Sequence, residues 1–422
     1  MYTTKTYNNL MLSAIFGSVM SAGIAPYVII TMMTDIGGGV GHMAMVSLIV
    51  QAGGCASLPI AVFFGKMRAK KASLILFGLG RGLMIFLILS PLFHMGPTAA
   101  LSFFAIGTLF CCSGMGPANS WFKSLIPENI RGEFLGKRNA MGLLIAAGLT
   151  PLLGMVIDHR ASTGLKVEYF YPAIMLAPLL CGFFDLYFLS RASETARDAD
   201  TGGREKVLKS FFSAGVWKSA TIPFLSSMGA TMLAPFIIIL YYDMKISSFT
   251  VGILIAASSL ALAVGMLSSG RAADHSSKNV HRIFMFSPVL YAGWTCCCWI
   301  LTVFYFSGSI SAGKTAAGIG TCFCIMSFIQ GLIQGAQAKY SLEVVEGGNI
   351  SFSAAIFIQS LLTLVILGTS VKLGSWAAAN DSMLKYFFYS GFHYTQIIFA
   401  YSILSGIIAA LLLSRTSTCR NP

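Results

Sequence analysis

Along this 422-residue chain, long unbroken apolar stretches alternate with short polar clusters at near-regular intervals. A helix rises about 1.5 Å per residue, so crossing a hydrocarbon layer of about 30 Å takes about 20 mainly apolar residues. Twelve stretches reach that length, at roughly 10–33, 42–64, 72–93, 97–119, 139–157, 169–190, 219–242, 249–269, 282–306, 316–338, 351–373 and 392–413. No ten-residue alternating segments of the membrane-barrel kind occur, and an open sheet edge cannot satisfy its backbone in lipid. The pattern predicts an all-α integral membrane protein. Its first apolar stretch is longer than a signal-peptide core and has no small-residue cleavage site, which predicts a retained first span.

The polar interruptions predict the topology. With both termini placed on the cytoplasmic side, 21 of the 28 Lys and Arg fall in cytoplasmic segments and 6 in outer loops, leaving Arg81 inside a span. Cytoplasmic loops attract positive charge, so both ends are expected to be cytoplasmic. The longest polar stretch, 191–218, divides the chain into an N-terminal unit (1–190) and a C-terminal unit (219–422) of six spans each. Two similar halves facing one another are the expected result. Val207 to Trp217 mixes Lys with Phe and Trp and is expected to lie on the membrane surface.

Composition narrows the class. Hydrophobic residues make up 56% and charged residues 10%, against about a quarter charged in a soluble domain. A net charge of +13 would suggest nucleic acid in a soluble protein. Here the cytoplasmic loops account for it, so the expected partner is the bilayer and not nucleic acid. The cysteines, including the run Cys296–Cys297–Cys298, lie mostly inside apolar stretches and read as packing residues. Neither a Cys-x-x-Cys/His pattern nor a P-loop is present, since Gly37-Gly-Gly-Val-Gly41 lacks the following Lys-Ser/Thr. No metal, cofactor, ATP-driven step or enzymatic chemistry is expected.

Three features carry a family resemblance. After the eighth span stands Gly270-Arg271-Ala-Ala-Asp274-His-Ser-Ser-Lys278, and after the second stands Gly65-Lys-Met-Arg68-Ala69-Lys-Lys71. After the fourth comes Trp121-Phe-Lys-Ser-Leu-Ile-Pro127-Glu128-Asn-Ile-Arg131-Gly132-Glu133-Phe-Leu-Gly136-Lys137-Arg138-Asn139. With the 6+6 arrangement, the chain resembles the bacterial members of the major facilitator superfamily. The resemblance implies two six-helix bundles related by a pseudo-twofold axis, alternating access, and a latch role for Gly65, Arg68, Arg131, Gly132, Gly270, Arg271 and Asp274. The earlier loop has Ala69 where the acid belongs, so its latch is expected to be weaker or to use another partner. Gly148-Leu-Thr-Pro151-Leu-Leu-Gly154 only partly matches the exporters' Gly/Pro motif and reads as a helix bend.

Ionisable groups inside spans are costly and therefore candidates for function. Arg81 in span three and Asp185 in span six are expected to form a structural ion pair away from the cavity; the alternative is a substrate anion held by Arg81. Asp35 and Asp243 occupy matching positions at the outer ends of spans one and seven. Gln330, Gln334 and Gln337 share one face of span ten and are expected to face the cavity or another helix. Tyr27, Thr31, Gln51, Asn119, Ser227, Thr231 and Gln359 are the other substrate-binding candidates. No cavity-facing acid or His stands out, so the lining favours a neutral polar solute, and H+ or Na+ coupling has no evident relay.

The expected protein is a monomeric secondary transporter of a small polar organic solute in a bacterial inner membrane. Two alternatives stay open: an exporter of amphiphilic compounds, and a non-transporting sensor or assembly partner with the same fold.

Overall fold

The computed structural model describes residues 4–64, 67–194, 209–275, 277–345, 348–387 and 393–418; it is helical throughout, with no strand among them. Much of the polar segment 191–218 lies outside the described residues, as does Gly65. Ten described helices are long and apolar enough to cross a membrane, and a bent pair makes an eleventh. Ala214–Asp243, a helix of 30 residues, stands where the seventh span was expected.

The first two spans are broken. Helix α1 (Thr4–Gly23) stops before α2 (Pro26–Asp35), because Pro26 has no N–H to continue the ladder and suits the first helical turn. Helices α3 (Val40–Ala52) and α4 (Ser57–Phe64) flank a 3₁₀ turn at Gly53–Ala56, with a bend of 51°. Packing explains that turn. A Cβ on Gly54 would stand 2.0 Å from Ser360 Oγ, and one on Gly53 2.7 Å from Cys112 Sγ.

Four more helices complete the first half: α5 (Ala69–Leu89), α6 (Pro97–Leu125), α7 (Arg131–Thr163) and α8 (Val167–Arg191). The second half holds α9 (Ala214–Asp243), α10 (Ser248–His275), α11 (Ser277–Phe306), α12 (Ala312–Val344), α13 (Asn349–Ala379), α14 (Asp381–Phe387) and α15 (Thr395–Thr418). Within the halves, α1 packs on α7 and α8, and α9 on α11, α13 and α15. The halves meet chiefly where α7 lies along α10, and where α13 crosses α3, α4 and α6.

Glycine makes the α7–α10 contact close. A Cβ on Gly252 would lie 3.0 Å from Pro151 Cα and Thr150 O, one on Gly154 2.6 Å from Ser248 O, and one on Gly270 3.0 Å from Gly132 O. Main chain therefore meets main chain along this seam.

The expected start of the fifth span needs correction. Span five was expected to start near residue 139, but α7 runs from Arg131. Arg138 is thus a helical residue inside a candidate span, Arg131–Arg160.

Candidate functional site

A cavity of about 580 Å³ lies between the halves. It exists because α1 presents small residues on one face, Ser13, Ala14, Gly17, Ser18, Ser21 and Ala22, leaving room that larger side chains would fill. Opposite, α7 contributes Arg138, Asn139, Gly142, Ala146 and Thr150, successive turns of one helical face. Ser259 of α10 and Gln334 of α12 bring in the second half. Such a volume suits a small organic molecule.

Arg81 and Asp185 pair directly, Arg81 Nη2 donating to Asp185 Oδ2, with side chains 9% and 6% exposed. Arg81 Nη1 also donates to Gly182 O, and Ser13 Oγ donates to Asp185 Oδ1. The expectation that this pair lies away from the cavity is corrected: both residues line it. Gly17 of α1 leaves room for the carboxylate, since a Cβ there would stand 2.9 Å from Asp185 Oδ2. The cavity wall therefore holds an acid, Asp185, where the sequence predicts no acid facing the cavity.

Two smaller cavities adjoin this cavity, the first of them walled largely by apolar residues such as Ile237, Leu254, Leu262 and Phe323. One of about 270 Å³ is lined by Tyr27, Tyr241, Ser258, Ser259 and Ser327, and one of about 210 Å³ by Thr231, Tyr291, Ser327 and Gln330. The glutamine row of α12 divides three ways. Tyr291 OH donates to Gln330 Oε1 at 2.5 Å, Gln334 faces the main cavity, and Gln337 Nε2 donates to Gln359 Oε1 at 3.0 Å. Thr31 Oγ1 and Thr231 Oγ1 each donate to a carbonyl one turn back in their own helix, at 3.0 Å. Asn119 lines none of the three cavities. The Gln51 side chain lies outside the described residues.

Among the motif residues, Gly132 and Gly270 meet in the α7–α10 seam. Arg131 Nη2 donates to Lys123 O (2.8 Å) and Ile126 O (3.1 Å), closing carbonyls at the end of α6. Arg68 is 3.7 Å from Glu194, and its side chain is 67% exposed, so that pair contributes little. Beside it Lys70 Nζ donates to Ser190 O (2.8 Å) and Ala192 O (2.7 Å). The loop without its acid thus uses a base on the negative end of α8. The Arg271 and Asp274 side chains lie outside the described residues.

Polar ties cross between the halves at both ends of the cavity. At the end bearing the first residues of α1, Lys123 Nζ donates to Val345 O (2.8 Å) and Ser57 Oγ to Ser353 O (2.9 Å). At the opposite end, Asp158 Oδ1 and Oδ2 accept from Ser248 N–H (3.1 Å) and Phe249 N–H (2.8 Å), and Tyr27 OH donates to Ser248 O (3.2 Å). Asp158 of one half thereby caps α10 of the other. Nothing in the sequence pattern singles it out.

Asp35 and Asp243, expected at matching places, have matching partners. Asp35 accepts from Arg160 and Tyr171, and Asp243 from Tyr394 at 2.8 Å with His393 3.6 Å away. The two tyrosines each stand at the start of the sixth span of their half.

Removing the cap has a readable consequence. Asp158→Ala is expected to weaken closure at that end by about 1 kcal/mol, the usual worth of a lost N-cap. Spin labels on the two halves at that end should report a roughly fivefold rise in the separated population. An unchanged distance distribution would mean that Asp158 does not hold the halves together.

No curated protein matches this chain in sequence. In structure it resembles the xylose transporter XylE from E. coli in a partially occluded inward-open conformation, with TM-score 0.65 and 11% identity over 98% of this chain and 97% of that one. It also resembles a bacterial homologue of the iron transporter ferroportin in an outward-facing state, with TM-score 0.59 and 14% identity over 98% and 99%. The E. coli fucose:proton symporter FucP follows, with TM-score 0.58 and 11% identity over 98% and 99%. These likenesses show the fold. The Major Facilitator Superfamily model matches residues 10–366, from the first span into α13. With its spans, its two halves and the cavity between them, this chain is a multi-pass membrane transporter that belongs to the Major Facilitator Superfamily.

Proposed function

We propose that this transporter moves a small polar organic solute across a bacterial inner membrane by alternating access, as a monomer with both termini cytoplasmic. The observation that carries the reading is the cavity of about 580 Å³, lined from both halves and tied across at each end. If the Asp158 and Tyr27 ties break while the Lys123 and Ser57 ties hold, the cavity opens to one side; the reverse opens it to the other. The charge asymmetry of the loops supports the orientation.

Reconstitution into liposomes tests the reading. Saturable uptake of a polar organic solute is expected. Ala146→Trp, which fills the cavity wall, is expected to cut it at least tenfold while the protein still elutes as a single species. Undiminished uptake would place the route elsewhere. Comparing inverted with right-side-out vesicles then separates import from export.

A further inference from the structure

We infer that the cavity binds a small organic anion, with its carboxylate or phosphate seated on Arg138. This rests on the reading of that cavity as the transport site. Three charged residues line it, Arg81, Arg138 and Asp185, leaving one positive charge in excess. The carboxylate of Asp185 is already engaged, one oxygen by Arg81 and the other by Ser13. Arg138 is left over. Its Nε is shut off from solvent without a partner, and none of its nitrogens has a hydrogen bond or ion pair among the described residues. The Phe122 ring lies 5.2 Å from its Cζ, and the negative charge that acts on it is that of Asp185, whose oxygens Arg81 and Ser13 already hold.

A guanidinium inside a span is costly and calls for a counter-charge. Its planar fork of donors matches a carboxylate or phosphate two bonds at a time. The surroundings supply the rest of a binding site. Asn139 is the next residue along α7, and Gln334 comes from the other half; both line the cavity and neither has a protein partner among the described residues. An anion on Arg138 whose hydroxyl, amide or second acid group reaches Gln334 would bridge the two halves. A neutral solute would leave the guanidinium unpaired in the wall, and a cation would be repelled.

The test uses the purified full chain in phosphatidylcholine nanodiscs, with thermal shifts read for matched pairs: gluconate and glucose, succinate and succinamide, glycerol 3-phosphate and glycerol. The anionic member of at least one pair is expected to raise Tm where its neutral partner does not. Arg138→Gln is expected to weaken that anion at least tenfold. Arg138→Lys, which keeps the charge but loses the fork, is expected to weaken it less and serves if the glutamine variant does not assemble. Anion binding unchanged in these variants overturns the inference. A neutral member that stabilises equally and enters proteoliposomes overturns the anion alone and leaves the transport site standing. No stabilisation by any member, with no flux, overturns both. In a parallel arm with phosphatidylglycerol discs, Arg138-dependent stabilisation by that lipid and by none of the solutes assigns the site to a lipid headgroup and overturns the soluble anion.

Discussion

Asp185→Ala is expected to destabilise the protein by about 3–5 kcal/mol, the cost of leaving one member of a buried ion pair without its counter-charge. Arg81 would keep only its hydrogen bond to Gly182 O, beside a cavity lined by no other acid. The measurement is Tm by tryptophan fluorescence in detergent, with the yield of monodisperse protein. Asp185→Asn should cost less, since the amide oxygen can still accept from Arg81 while the amide N–H donates to Ser13 Oγ. The double change Arg81→Met with Asp185→Leu should be milder than Asp185→Ala, because it removes both charges together. A single alanine variant as stable as the double would show that the pair contributes nothing to the fold.

The second large effect belongs to the crossing of α10 and α12. A Cβ on Gly331 would stand 2.2 Å from Leu262 O, and one on Gly265 2.3 Å from Phe328 O. Both obstacles are main chain, so no rotamer change relieves them. Gly331→Ala is expected to cost about 1–3 kcal/mol, and Gly331→Leu more. Because α12 carries Gln334, displacing it should also weaken ligand binding. After Gly331→Ala has spread the helices, Gly265→Ala should add less than it costs alone. Thermal melting of the four variants checks this, and full additivity would argue that the two glycines do not share a contact.

Much of this architecture was legible in the sequence because lipid imposes a simple rule, long apolar runs with basic loops between them. The rule is blind at helix ends. Arg131 to Arg138 is too polar to read as a span, yet it forms the first turns of α7, so Arg138 was placed in a loop. The neutral cargo expected from the sequence rested on the lack of an evident cavity-facing acid or His, and Arg138 did not enter that expectation. Arg81 and Asp185 were legible as partners, since two opposite charges in apolar surroundings must meet. Their place at the cavity was not, because it depends on Ser13, Gly17 and Ser18 being small on a neighbouring helix. Gly53 and Gly54 looked unremarkable until Ser360 and Cys112 were seen against them. Distant partners of that kind leave no local trace.

The α7–α10 seam has a mechanical consequence. Two peptide backbones in contact present relief that does not depend on rotamers, unlike interlocked side chains, which must disengage before they can slide. Such a surface works as a bearing. One half can roll over the other with weak, interchangeable C–H···O contacts replacing one another along the way. The friction of the transport cycle then resides at the rims, in the few polar ties that must let go, and tuning the speed of the cycle means altering those rims while the bearing itself stays bare.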